Sequence, residues 1–343
     1  MGMAKRSYSK KGRNIEPSVQ TVFLATPTVA PGATGSFTAD LSQIASLINR
    51  RFYRQGINWA VAGIKILTQG NGSIAIKKLP NTWVMSNSWT KGFKAWQKMN
   101  REALAEAESV RPKFLDFKIY ADSTHHNAGF GANLLPLDGQ LPVAQPFQAG
   151  EWIASKYVIP DTTTGAGVNN FEVVATGANY PGGGASGLNA ISLIEGYAAS
   201  RGLPDILDPN APDDAADVNG STPENWMSAL FNDGTNQDDQ VLTDMITENN
   251  EAPYPFENDG TNTDTQYPGG ANQAPGLQVH DFEFITATTI GGTTRMKGGN
   301  FPCGLMRFDW TVDAASITSN VAIQIDLIPG SHRGYLCEPM SEM

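Results

Sequence analysis

The chain has 343 residues, with 24 Lys+Arg against 34 Asp+Glu and a formal net charge of −10, and its apolar content suffices for one large core or two modest ones. Only 17% of residues are charged while 35 are Gly and 21 Pro, which excludes a coiled coil, collagen and a disordered polymer and suits many short strands. No run reaches the roughly 18 apolar residues of a membrane helix, and two cysteines, Cys303 and Cys337, exclude a cysteine-stapled scaffold and lead us to expect reduced thiols.

Charge is divided along the chain. Through Lys118 there are 18 Lys+Arg and 6 Asp+Glu, a net of +12, whereas Ile119 to Met343 holds 6 basic and 28 acidic residues, a net of −22. Such asymmetry points to a basic portion that meets a polyanion, or to attraction between copies through opposite patches. Residues 1–14 carry Lys5, Arg6, Lys10, Lys11 and Arg13 with no apolar anchor, which predicts a mobile basic arm suited to phosphates and to nuclear import. The apolar run Val22 to Ala30 follows this basic start, but Glu16, Gln20 and Pro27 break the pattern of a secretory signal.

Val19 to Ala25 reads as a first strand. Asp40 is placed to cap a short helix with Ile44, Leu47, Ile48 and Phe52 at helical spacing, ending at Gly56. Arg50, Arg51 and Arg54, with Phe52 and Tyr53 among them, offer what single-stranded nucleic acid needs, guanidinium for phosphate and rings for bases; they equally suit a helix C-terminus, where the dipole favours cations, with the aromatics in the core. Ile57 to Leu67 and Ser73 to Leu79 alternate around Gly70-Asn71-Gly72, which predicts a hairpin of adjacent antiparallel strands. From Ser88 to Ser109 an amphipathic helix is expected, with Trp89, Phe93 and Trp96 on one side and Lys91, Lys94, Lys98 and Arg101 on the other.

Further strands are expected at Phe114 to Ala121, Trp152 to Ile159, Phe171 to Thr176, Asp281 to Thr289, Leu305 to Thr311 and Val321 to Ile328. Between them, Arg201 to Gly270 holds 15 acidic residues and one basic, with short helical patterns at Glu224 to Phe231 and Asp239 to Thr247, and reads as an excursion from a β scaffold. Strands at both ends of the chain and helices only in the connections predict an all-β domain over residues 15–343, a sandwich or barrel of antiparallel strands with helical and acidic loop insertions.

Little in the chain suggests catalysis. Gly182, Gly184 and Gly187 form a GxGxxG before the helical pattern Leu188 to Ser200, with Asp205 beyond it, a weak dinucleotide pattern because Gly177 to Pro181 separates it from the preceding strand. His125 and His126 are adjacent and, in an extended segment, point to opposite sides. There is no HExxH or GxSxG, so no enzyme is expected. A repeat, Asn232 to Asp238 and Asn258 to Asp264, sets Asp233, Asp238, Asp259 and Asp264 in Asn-Asp-Gly turns whose oxygens suit calcium; no other cofactor is expected.

Four stretches resemble capsid proteins of small circular single-stranded DNA viruses that encode a replication initiator. They are Leu47 to Ile66 (LINRRFYRQGINWAVAGIKI), Leu79 to Asn100 (LPNTWVMSNSWTKGFKAWQKMN), Pro112 to Asp122 (PKFLDFKIYAD) and Ile325 to Met340 (IDLIPGSHRGYLCEPM). The resemblance implies a single jelly-roll domain of two four-stranded sheets, assembling as an icosahedral shell around a single-stranded DNA genome with the basic N-terminus inside. It further implies residence in the virion, with the host nucleus as a place of assembly. Many relatives carry a longer arginine-rich arm, so packaging here must also draw on Arg50, Arg51 and Arg54. Two other readings stay open on sequence alone: a β-sandwich module binding carbohydrate or another ligand, and a nucleotide-dependent enzyme resting on the glycine triplet.

Overall fold

The computed structural model describes residues 17–105, 116–139, 144–161, 167–201, 269–270, 273, 275–286 and 293–343. Two curled antiparallel sheets form the scaffold. Strands β1 (Thr21–Ala25), β3 (Ile57–Leu67), β9 (Thr293–Phe301) and β11 (Ala322–Leu327) make one sheet in the order β1-β11-β3-β9, and β14 (Cys337–Pro339) extends it against Ile57 to Trp59. Strands β2 (Thr34–Asp40), β4 (Gly72–Lys78), β8 (Gln278–Ile285) and β10 (Leu305–Val312) make the other, in the order β2-β10-β4-β8. Val22, Leu24, Ile64, Ile66, Ile323 and Ile325 from the first sheet share a core with Ile74, Ile76, Phe308 and Trp310 from the second.

The expected hairpin at Gly70 to Gly72 is not one. β3 and β4 lie in different sheets: β3 pairs with β11 and β9, and β4 with β10 and β8. Alternation specifies which face of a strand is buried but not its neighbour, and residues 68–71 carry the chain across from one sheet to the other. β3 also changes phase within its length. It buries Trp59 and Val61, then Ile64 and Ile66, because Ala62 is an extra residue relative to β11, between the pairs Leu327–Val61 and Asp326–Gly63. β9 approaches so closely at this bulge that a Cβ on Gly298 would lie 2.3 Å from the carbonyl oxygens of Val61 and Ala62. The glycines there weaken the strand pattern, and β9, like β2, is a scaffold strand that sequence alone misses.

Helix α1 (Leu41–Asn49) links β2 to β3. Asp40 caps it as expected, accepting from the amides of Ser42 (2.9 Å) and Gln43 (3.3 Å). It ends before Gly56, because Arg50 takes the left-handed conformation at φ 53° and turns the chain out.

Residues 79–277, between β4 and β8, contain α2 (Trp83–Ala105), α3 (Ser123–Ala128), a small sheet of β5 (Lys156–Asp161), β6 (Gly167–Val174) and β7 (Ala190–Ser192), and α4 (Leu193–Arg201). α2 starts earlier than expected and buries Trp89 and Trp96 in a second core with Phe117, Tyr157 and Leu193, while Lys91, Lys94, Lys98 and Arg101 stay exposed. Phe114 to Ala121 is not a strand where it is described. Residues 116–119 have no ladder partners, and Tyr120 makes one parallel bridge to Val174, because Gln55 occupies both the amide (2.7 Å) and the carbonyl (3.1 Å) of Ile119. The insertion also closes the β1/β2 side of the sandwich, where the amides of Leu134 and Leu137 donate to Thr38 and Phe23 carbonyls at 2.8 and 2.9 Å. Among the described residues, no helix is long and apolar enough to cross a membrane.

Candidate nucleic-acid interface

The three arginines singled out from sequence sit on the loop that leaves α1 and enters β3, and the fold fixes this loop from beneath. Tyr53 is fully buried, with its ring 5.9 Å from Trp59 and 5.5 Å from Tyr335 between centroids, and its hydroxyl donates to the Arg333 carbonyl at 2.8 Å. It is therefore an anchor of the loop and not a base-stacking residue, the core role being one of the two that the sequence leaves open for these aromatics. Gln55 is buried as well and joins the loop to Ile119 and, through its Nε2, to Asp40 at 2.9 Å.

With Tyr53 and Gln55 turned inward, Arg50 and Arg54 are exposed and Arg51 and Phe52 half-buried. The guanidinium of Arg51 donates to the Pro17 carbonyl at 3.0 Å, so Pro17 lies against this loop. Arg333, exposed and at φ 50°, lies on the turn between β13 (Gly334–Tyr335) and the preceding β12 (Pro329–Gly330), and its guanidinium donates to the Phe52 carbonyl. Arg54 and Arg333 both face His332, whose pKa is lowered by burial and then by these two cations.

Two further residues join from the insertion. The Lys118 ammonium lies 5.7 Å from the Phe52 ring centroid and 4.6 Å from that of Trp152, and forms an ion pair with Asp116 at 3.1 Å. Burial raises the Asp116 pKa, opposed by Lys118 and Arg54. Trp152 is held in place by its indole N–H, which donates to Asp40 at 3.1 Å. Lys118 thus bridges two half-buried rings, beside a loop that carries Arg50, Arg51 and Arg54 and is bonded by Arg333, with Asp116 as the carboxylate paired to Lys118. Lys118, Trp152 and Arg333 were invisible to sequence reasoning because each is remote from the arginine triplet in the chain.

Of the remaining expected site residues, Lys5, Arg6, Lys10, Lys11 and Arg13 lie outside the described residues. So do Asp205, Asp233, Asp238, Asp259 and Asp264, and both helical patterns of the acidic excursion. Among the described residues, no three His, Cys, Asp or Glu side chains are grouped to hold a metal. The glycine triplet is not a strand-to-helix turn: β7 intervenes between Gly187 and α4, and a Cβ on Gly184 would lie 2.5 Å from His126 Nε2. Cys303 and Cys337 are both free.

His125 and His126 occupy helix α3, not an extended segment, because Asp122 caps it through the His125 amide at 3.0 Å. His125 Nδ1 accepts from the Ala121 amide (3.1 Å), so its Nε2 carries the proton and donates to Asn133 Oδ1 (2.8 Å). Burial pushes its pKa down to about 3. His125 and Asn133 border a cavity of about 470 Å³ beside Thr38 and Arg307. Of its polar groups, Asn133 is engaged by Gln43 (2.9 Å) and the Arg307 Nη1 by buried Asp122 (2.5 Å). The cationic loop is the stronger candidate. The chain is matched by no family model, no curated protein and no solved structure.

Proposed function

We propose that this chain is a viral coat protein with a jelly-roll fold, non-enzymatic, which assembles into an icosahedral shell and packages single-stranded DNA. The observation that carries the reading is the cationic loop itself: Arg50 and Arg54 are exposed there with Arg333, and Pro17, three residues past the basic stretch 1–14 in sequence, accepts from Arg51. Phosphate contacts of this kind confer affinity without sequence preference.

Three observations support the rest. The order β1-β11-β3-β9 against β2-β10-β4-β8 agrees with the eight strands and two Greek keys of a jelly roll. The four stretches that resemble circular-DNA virus capsid proteins, remote in sequence, meet around the arginine loop: Trp59 pairs with Cys337, Arg333 bonds Phe52, Gln55 bonds Ile119, and Ser86 donates to the Met340 carbonyl. Terminal strand β8 exposes Val279, Phe282 and Phe284, an apolar strip that suits contact with another copy. Assembly in the host nucleus, release as the virion and the absence of a membrane partner belong to the same proposal. The test is to express the chain, isolate the assembled fraction and treat it with nuclease. Protected single-stranded nucleic acid is expected, and an assembled fraction with none overturns the packaging role.

A further inference from the structure

We infer that Phe52 and Trp152 form a stacking platform for unpaired bases, so that the folded domain itself selects single-stranded over double-stranded nucleic acid. This rests on the coat-protein reading and adds to it the mode of contact. Cations alone do not discriminate, because a duplex offers phosphates at higher density than a single strand. Rings do, because the bases of a duplex are already stacked on one another.

The geometry carries the inference in three ways. Two rings from remote parts of the chain flank one ammonium, at 5.7 and 4.6 Å from Lys118, and both are half-buried, so each is seated while part of it meets solvent. Each ring's backbone or edge is tethered: the Phe52 carbonyl by the Arg333 guanidinium, and the Trp152 indole N–H by buried Asp40. A platform fixed before binding loses little entropy when a base settles on it. Arg51 and Arg54 lie within two residues of Phe52 in the chain and Arg333 bonds its carbonyl, so a strand with a base on Phe52 has guanidinium groups at hand for its phosphates.

The experiment compares the full chain and its variants in binding an oligothymidylate and a duplex of equal length, at several salt concentrations, by fluorescence anisotropy. Phe52→Leu and Trp152→Leu are each expected to weaken oligothymidylate binding roughly 5- to 150-fold while leaving duplex affinity and the salt slope unchanged. Trp152→Phe, which keeps a ring and loses the bond to Asp40, is expected to retain most of the affinity. Equal losses on both probes, no loss on the single strand, or a Trp152→Phe defect as large as that of Trp152→Leu overturns the platform. If binding depends on Arg54 but not on the rings, the platform fails and the coat-protein reading stands. If the unsubstituted chain binds neither probe, both fail.

Discussion

Acidification is expected to cost this fold stability through His125 in particular. Protonating the ring would put a proton on Nδ1, which already accepts from the Ala121 amide, and set donor against donor in a site that is 2% exposed. Accordingly, burial lowers the pKa to about 3 in the folded chain, with Arg307 and His126 adding to the effect, against an ordinary value of 6.5. Below pH 6.5 the unfolded chain binds a proton that the folded chain refuses, so stability is lost as pH falls from 6.5 toward 3. At pH 4.5, two units into that window, the loss is about 3 kcal/mol, from about 1.4 kcal/mol per unit. Asp40 acts in the opposite sense. Burial raises its pKa to about 7, so its cost is relieved as pH falls from 7 toward 3.8, and the wild-type slope sums these two with the raised Asp116 and Asp122 and the lowered His332. His125→Gln, which does not titrate, isolates the imidazole. Urea unfolding of both chains at fixed concentration, from pH 7 to 4.5, should show the wild type losing about 3 kcal/mol more than the variant. Parallel curves would refute the reasoning.

Three other substitutions test other links. Arg307→Met leaves Asp122 buried without its cation and should cost about 3–5 kcal/mol in urea unfolding, part of it regained by adding Asp122→Asn. Gly72→Ala would bring a Cβ within 2.0 Å of the Thr311 carbonyl and should destabilise by on the order of 2 kcal/mol or more, whereas Gly131→Ala, with open space around it, should stay within about 0.5 kcal/mol. Deleting residues 1–14 should leave shells able to assemble while lowering their nucleic acid content, and should remove up to about 3.5 from the log–log salt slope of single-strand binding. Shells without the segment but with undiminished nucleic acid would shift packaging wholly to the folded domain.

Much of the scaffold was legible because burial leaves a periodic trace. β1, β4 and β11 alternate cleanly, α2 separates its tryptophans from its lysines, and Asp40 stands where a cap belongs. What was hidden depended on distant partners. β9 contains two adjacent glycines at a bulge, so no alternation marks it. The sheet change between β3 and β4 is set by β9, β10 and β11, all far along the chain. At the site, the arginines, Phe52 and Tyr53 are visible as a cluster in sequence, but proximity in sequence does not say which way a ring turns, so the burial of Tyr53 and the partial exposure of Phe52 are read only from the fold. Lys118 and Trp152 reach the loop only because Gln55 and Asp40 pin the insertion against it.

The most direct test of the coat-protein reading is electron microscopy of the purified, full-length chain. Closed, roughly spherical particles of uniform size, with density inside that disappears when nucleic acid is removed, are the expected result. A stable monomer at every salt concentration and pH tried would contradict it.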